Sequence, residues 1–124
     1  MLLVLKNGIR TCSMHEVHQV QKVVAEALAA VKDKNIPHPK KAVLIVGELL
    51  GFDEGCIRLY WEQMIADTVL SNTVLEVKFK PALLECKTCN IQYPKKGSDL
   101  QCPQCRKLGT LLPSGKEFFI TEIV

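Results

Sequence analysis

The sequence predicts an α+β fold: two helices packed on a small sheet of about three strands, with a four-cysteine ribbon module inserted before the last strand. Three observations predict it. Two stretches, 14–34 and 54–71, repeat apolar residues at helical spacing. Three stretches, Lys41–Val46, Val74–Phe79 and Phe118–Val124, are β-branched or alternate apolar with charged residues, as strands do. Four of the six cysteines fall between Glu85 and Gly109, where the apolar periodicity stops.

The first thirteen residues carry no helical period, and Asn7-Gly8 reads as a turn. This stretch is a short strand with a loop, or a loosely attached extension. Ser13-Met14-His15-Glu16 opens the first helix, because serine at the N-cap with glutamate three residues later forms a capping box. Val17, Val20, Val24, Ala27, Leu28 and Val31 then share one face, while Gln19, Lys22, Glu26 and Lys32 fall mainly on the other. The helix should end near Lys34-Asn35, ahead of Ile36-Pro37-His38-Pro39, where proline fixes φ.

Lys41–Val46 is a strand that Gly47-Glu48-Leu49-Leu50-Gly51 ends. Asp53 caps a second helix, about 54–71, with Ile57, Tyr60, Trp61, Met64, Ile65 and Thr68 facing inward. Val74–Phe79 is a half-buried strand, and Pro81 marks the change to a polar segment. The β-prone Phe118–Val124 is expected to return to the sheet, which makes the cysteine segment an insertion. The chain then divides into an N-terminal extension, 1–13, an α+β domain, 14–84 with 110–124, and a metal-binding domain, 85–109.

Composition narrows the function classes. A length of 124 residues allows one ordinary domain, with or without a small stapled module. The 48% hydrophobic and 23% charged residues exclude wholesale disorder, and 6% aromatics make the core mainly aliphatic. No apolar run approaches the ~20 residues that span a bilayer. Met1-Leu2-Leu3-Val4-Leu5 stops at Lys6 and has no basic stretch before it, so it does not read as a signal peptide. A cytoplasmic protein without membrane association is expected, and six cysteines there point to metal ligation rather than a disulfide framework. Ser-His-Asp, HExxH and phosphate-loop patterns are missing, so an enzyme is not expected.

Cys86-Lys87-Thr88-Cys89 and Cys102-Pro103-Gln104-Cys105 are two CxxC knuckles twelve residues apart. Each knuckle turns two thiolates toward one point, and together they make the tetrahedral four-sulfur set of structural zinc, a zinc-ribbon module. Such a site has no open position and is structural, not catalytic. Rubredoxin-type iron is the nearest chemical rival, although Asn90 and Arg106 follow the knuckles where glycine would be usual there. Lys87, Lys95, Lys96, Arg106 and Lys107 either compensate the thiolates or form a nucleic-acid or protein-interaction patch. Four thiolates and one Zn²⁺ bring the formal charge from +3 to about +1, which favours compensation. Tyr93 is the lone aromatic in the segment, so stacking on nucleobases has little to work with.

Met14-His15-Glu16 has a second reading beside the capping box. The first N–H groups of a helix lack intrahelical partners, so the His15 amide is free to lose its proton and bind Ni²⁺ beside its own imidazole. Glu16 adds an oxygen or orients the imidazole. His15 and His18, at i and i+3, point to roughly the same side, which makes His18 an auxiliary candidate.

In order, Met14-His15-Glu16, Gly47-Glu48-Leu49, Pro81-Ala82, the two knuckles and Thr121-Glu122-Ile123-Val124 resemble the HypA/HybF family of hydrogenase-maturation nickel metallochaperones, over residues 14–124. No single motif is unique; the ordered set is specific. The resemblance implies Ni²⁺ cargo at Met14, His15 and Glu16 and structural Zn²⁺ at Cys86, Cys89, Cys102 and Cys105. It implies delivery of nickel to the [NiFe] hydrogenase large subunit, or to urease through its accessory proteins, with a HypB-type GTPase as partner. A monomer or homodimer is expected. The family also uses the free α-amine of its initiator methionine, whereas thirteen residues precede Met14 here, so its nitrogen is an amide. Of the remaining cysteines, Cys56 is expected as a small buried apolar residue and Cys12, two residues before Met14, as a thiol with a metal contact there as its alternative.

Overall fold

The coordinates are those of a computed structural model, which describes residues 2–5 and 8–124, with side chains from Cys12 onward. Among these residues the elements run β1 (Leu2–Leu5), β2 (Gly8–Thr11), α1 (Met14–Asp33), β3 (Lys41–Gly47), a 3₁₀ turn over Glu48–Leu50, α2 (Glu54–Ile65), β4 (Val74–Lys80), β5 (Leu83–Cys86), β6 (Ile91–Pro94), β7 (Thr110–Leu111) and β8 (Phe118–Ile123). The strands form three sheets, ordered β1-β2, β4-β3-β8 and β6-β5-β7. The chain divides into two units, Met1–Ile45 with Phe52–Lys78 and Phe118–Val124, and Val46–Gly51 with Phe79–Glu117. No described helix is long and apolar enough to cross a membrane.

α1 forms where local rules place it. Ser13 Oγ accepts from the Glu16 N–H at 3.1 Å, and Glu16 Oε1 accepts from the Ser13 N–H at 3.0 Å, closing the capping box. At the other end Asn35 turns left-handed at φ 53°. The N–H of Ile36 reaches Val31 O at 3.0 Å and that of Asn35 reaches Lys32 O at 3.3 Å, a Schellman stop. Val20, Val23, Val24, Ala27 and Val31 are buried, while Val17 and Leu28 are only half-buried. Val23 joins the inward face because α1 packs against both α2 and β8.

α2 starts at the Asp53 cap, whose carboxylate accepts from the Cys56 N–H at 3.1 Å. It ends at Ile65 rather than near residue 71. The Thr68 hydroxyl and N–H both bond Ile65 O, at 2.8 and 3.0 Å, so the carbonyl that would continue the helix is taken by a turn. Cys56, Ile57, Tyr60, Trp61 and Ile65 are buried, each large apolar side chain contributing about 1.5–3 kcal/mol.

β3 is the central strand, and its Ala42, Val43 and Leu44 are buried. The Val74 N–H bonds Lys40 O at 2.9 Å and Lys41 pairs with Glu76 at 2.9 Å. Both strands therefore start at the same end and run parallel, with α2 as the crossover. Lys41 and Val124 exchange backbone bonds at 3.1 and 2.9 Å, so β8 runs antiparallel to β3, and the C-terminal strand returns to the sheet as expected.

The first thirteen residues differ from expectation. β1 and β2 pair antiparallel with Leu2 opposite Thr11 and Leu5 opposite Gly8. The turn expected at Asn7-Gly8 falls on Asn7, outside the described residues. Cys12 and Cys56 are not two unpaired thiols. They form a disulfide, with Cα atoms 5.7 Å apart, across a sequence separation of 44. Composition favoured metal ligation over disulfides; folding brings the residue before the α1 cap and the first turn of α2 within bridging range. Closing a loop of this length stabilises by about 4 kcal/mol in the chain-entropy account.

Within the second unit, the Gly47 N–H donates to Glu117 O at 2.6 Å, and a Cβ at Gly47 would collide with the Gly115 backbone. Two outcomes are expected in thermal unfolding followed by circular dichroism. Cys12→Ser/Cys56→Ser should lose about 2–4 kcal/mol, the same loss that reduction produces in the wild type. Gly47→Ala should lose about 1–3 kcal/mol, because backbone rather than a flexible side chain has to yield.

Candidate metal centres

The four remaining cysteines sit at the tips of two hairpins of the second unit. β5 and β6 pair antiparallel with Cys86 opposite Ile91, so Cys86 and Cys89 occupy the connecting turn. The bridge between Gln101 and Leu108 closes the other hairpin around Cys102 and Cys105. Each turn is held by its own backbone: Cys86 Sγ accepts from the Cys89 N–H and Cys102 Sγ from the Gln104 N–H, both at 3.4 Å. Asn90 and Arg106, which follow the knuckles, both adopt left-handed backbone, at φ 56° and 63°. That conformation is the physical reason glycine would suit these positions.

A metal bound to four thiolates at about 2.3 Å sets its sulfurs about 3.8 Å apart. Here the four Sγ atoms all lie within 4.8 Å of one another, and Cys86 and Cys105 are 3.6 Å apart. The donor set and spacing fit zinc. Cys86 and Cys102 are buried, Cys89 and Cys105 half-buried, and Leu84, Tyr93 and Ile91 pack around them. The Tyr93 hydroxyl donates to Leu100 O at 2.8 Å, tying β6 to the second hairpin.

The thiols are not equivalent. Backbone N–H groups, that of Cys105 foremost and that of Gln104 after it, hold Cys102 down to about 7 against its burial. A hydrogen bond with Cys105, then burial, pushes Cys89 up to about 12. Cys102 is therefore a thiolate more readily available to an incoming cation than Cys89, which must shed its proton to bind. Of the surrounding basic residues, Lys95 is engaged by Glu48 at 3.8 Å and by Gly97 O.

The start of α1 lies in the other unit and is built differently. Met14, His15 and His18 are exposed, Met14 at 68%, while Glu16 is only 2% exposed. Glu16 spends one oxygen on the capping box and gives the other, Oε2, to the N–H of Asp53 at 3.0 Å. The His15 ring lies 5.7 Å from that of Phe52, which meets Phe118 edge-on at 5.5 Å. Asp53, Phe52 and Phe118 are the residues sequence reasoning did not bring here. Asp53 is legible as a cap, but its bond to Glu16 spans 37 residues and has no local signal.

Three outcomes are expected. Chelation of zinc should unfold residues 85–109, lost as amide dispersion in ¹H–¹⁵N spectra, and the zinc-loaded protein should be colourless. Zinc affinity, measured by chelator competition, should fall as pH drops through about 7, because Cys102 then has a proton to be displaced. Arg106→Gly should raise the stability of the zinc-loaded unit by about 0.5–1 kcal/mol, the left-handed strain relieved less the added chain entropy.

Comparisons with known proteins give relatives in sequence and in fold. The hydrogenase maturation factor HypA of Dehalococcoides mccartyi (strain CBDB1) is 27% identical over 110 residues, covering 89% of this chain and 92% of its own length. That of Solidesulfovibrio magneticus is 29% identical over 115 residues, covering 86% and 95%. The solution structure of the Ni metallochaperone HypA from Helicobacter pylori superposes with a TM-score of 0.60 at 19% identity, over 87% of this chain and 94% of that one. A further HypA solution structure reaches 0.63 at 22% identity, over 90% and 95%. Those structures share the fold. Residues 14–124 match the family model described as hydrogenase/urease nickel incorporation, metallochaperone, hypA, and the chain belongs to this family of maturation factors, which are not enzymes.

Proposed function

We propose that this chain binds Ni(II) at the start of α1, through Met14, His15 and Glu16, and hands it to the large subunit of [NiFe] hydrogenase during maturation. A structural Zn(II) at Cys86, Cys89, Cys102 and Cys105 holds the second unit together. The observation that carries the reading is the contrast between the two centres. One is a closed set of four thiols. The other is an exposed imidazole at a helix N-terminus, next to backbone amides of the first turn.

The contrast matches what each ion must do. A structural ion stays, so it takes a site without an open position. A cargo ion must be received and released, so it takes an exposed one. His15 offers its ring nitrogen, and the Met14 and His15 amides are among the helix's orphan donors and are placed to supply nitrogen once deprotonated. Loss of those amide protons is what substitutes for the amine that the family's initiator methionine provides. The Phe52 ring lies 5.7 Å from the imidazole, tilted against it. His18, exposed one turn on, is an auxiliary donor.

In this reading residues 14–84 with 110–124 form the nickel-binding domain, residues 85–109 the zinc-binding domain, and 1–13 an extension. A HypB-type GTPase is the partner that drives transfer, in the cytoplasm, and urease accessory proteins are alternative recipients. Calorimetry on the zinc-loaded protein is expected to find one Ni²⁺ per chain. His15→Ala should weaken it about tenfold or more, 1.4 kcal/mol at least, with zinc content unchanged. Equal nickel binding by His15→Ala would remove the α1 start as the site.

A further inference from the structure

The disulfide, the capping box and the α2 cap form one closed ring of contacts around the α1 start. Cys12 is joined to Cys56. The Cys56 N–H donates to Asp53 Oδ2 at 3.1 Å, and the Asp53 N–H donates to Glu16 Oε2 at 3.0 Å. Glu16 Oε1 accepts from the N–H of Ser13, the residue after Cys12. All members belong to one unit. Cys12 is 5% exposed and Cys56 is fully buried. Within this ring the Glu16 carboxylate is buried with both oxygens engaged, while the neighbouring His15 is exposed.

We infer that the Cys12–Cys56 disulfide is a redox-dependent clasp on the nickel site, resting on the nickel reading above. Cys12 and Cys56 are positioning residues. With the bond formed, Ser13 and Asp53 are held together, and both Glu16 oxygens are retained by their N–H groups. The metal then meets His15 and backbone nitrogen without a carboxylate. Reduction lets the Ser13 segment part from the first turn of α2. Glu16 can then leave Asp53 and give an oxygen to the metal that His15 holds.

The chemistry balances with a low-molecular-weight thiol as reductant. Two such thiols reduce the S–S bond with two electrons and two protons, leaving Cys12 and Cys56 as thiols and the reductant as its own disulfide. Loading and reduction are thereby linked. An ion that binds the reduced form more tightly also favours that form, and reoxidation lowers its hold on the cargo.

The test uses the full chain, zinc-loaded, with NiSO₄ as the titrant. The oxidised protein is compared with protein reduced by dithiothreitol and then freed of it under nitrogen. Cys12→Ser/Cys56→Ser is titrated alongside, with Cys12→Ser alone as a second variant that leaves Cys56 in its buried place. The expected result is nickel binding about tenfold tighter in the reduced protein and in both variants than in the oxidised protein, with faster hydrogen exchange at the Asp53 amide. In Glu16→Gln the redox dependence should vanish. Equal nickel affinity in both redox forms would overturn the clasp while leaving the nickel site standing. Tight binding by the reduced wild type but not by the serine variants would overturn it too, since the thiolates would then be ligands. If no form binds nickel, the nickel reading itself fails, and the clasp with it.

Discussion

The two N–H bonds accepted by the Glu16 carboxylate are the contact on which the α1 start depends. A carboxyl group only 2% exposed needs partners, because burying one unsatisfied costs more than most single contacts return. Its partners are the N–H groups of Ser13 and Asp53, one at each helix start. The side chain that closes a local capping box therefore also joins α1 to the loop before α2. That join sets Asp53 to cap α2, brings Phe52 against His15, and places Cys12 opposite Cys56. Losing the carboxylate would remove the acceptor of both N–H bonds at once.

The two candidate centres follow opposite physical rules. The cysteine cluster is a closed donor set: two hairpin turns bring four sulfurs within 4.8 Å, with backbone N–H groups aimed at Cys86 and Cys102. Such a site favours retention. The α1 start has the exposed imidazoles of His15 and His18, backbone amides that must lose protons to coordinate, and a carboxylate already engaged by two N–H groups. Such a site favours exchange. In the proposed function one ion is carried while another folds the chain, which needs both behaviours, and the two candidate centres lie in different units.

Much of this was legible because it is local. The capping box, the α1 stop near Lys34-Asn35, the Asp53 cap and both knuckles are written in residues three or four apart. The return of β8 to the sheet follows from its composition and the place of the insertion. What was not legible acts over distance or through competition. Cys12 and Cys56 look like two unrelated thiols until folding joins them across 44 residues. Glu16 looks like a surface capping glutamate until Asp53 reaches it. The α2 stop depends on Thr68 capturing a carbonyl, which apolar periodicity does not encode. Strands β5 to β7 are too short to show a period, and the cysteines at their turns, not their own composition, define them. Asn90 and Arg106, which looked like departures from a glycine pattern, take up the left-handed backbone that pattern requires.

X-ray absorption at both metal edges, on protein carrying one nickel and one zinc, tests the two-centre account most directly. The account predicts a zinc shell of four sulfurs near the usual ~2.3 Å and a nickel shell of nitrogen and oxygen that includes imidazole scattering. A nickel shell of four sulfurs, with zinc displaced to nitrogen and oxygen, would contradict it.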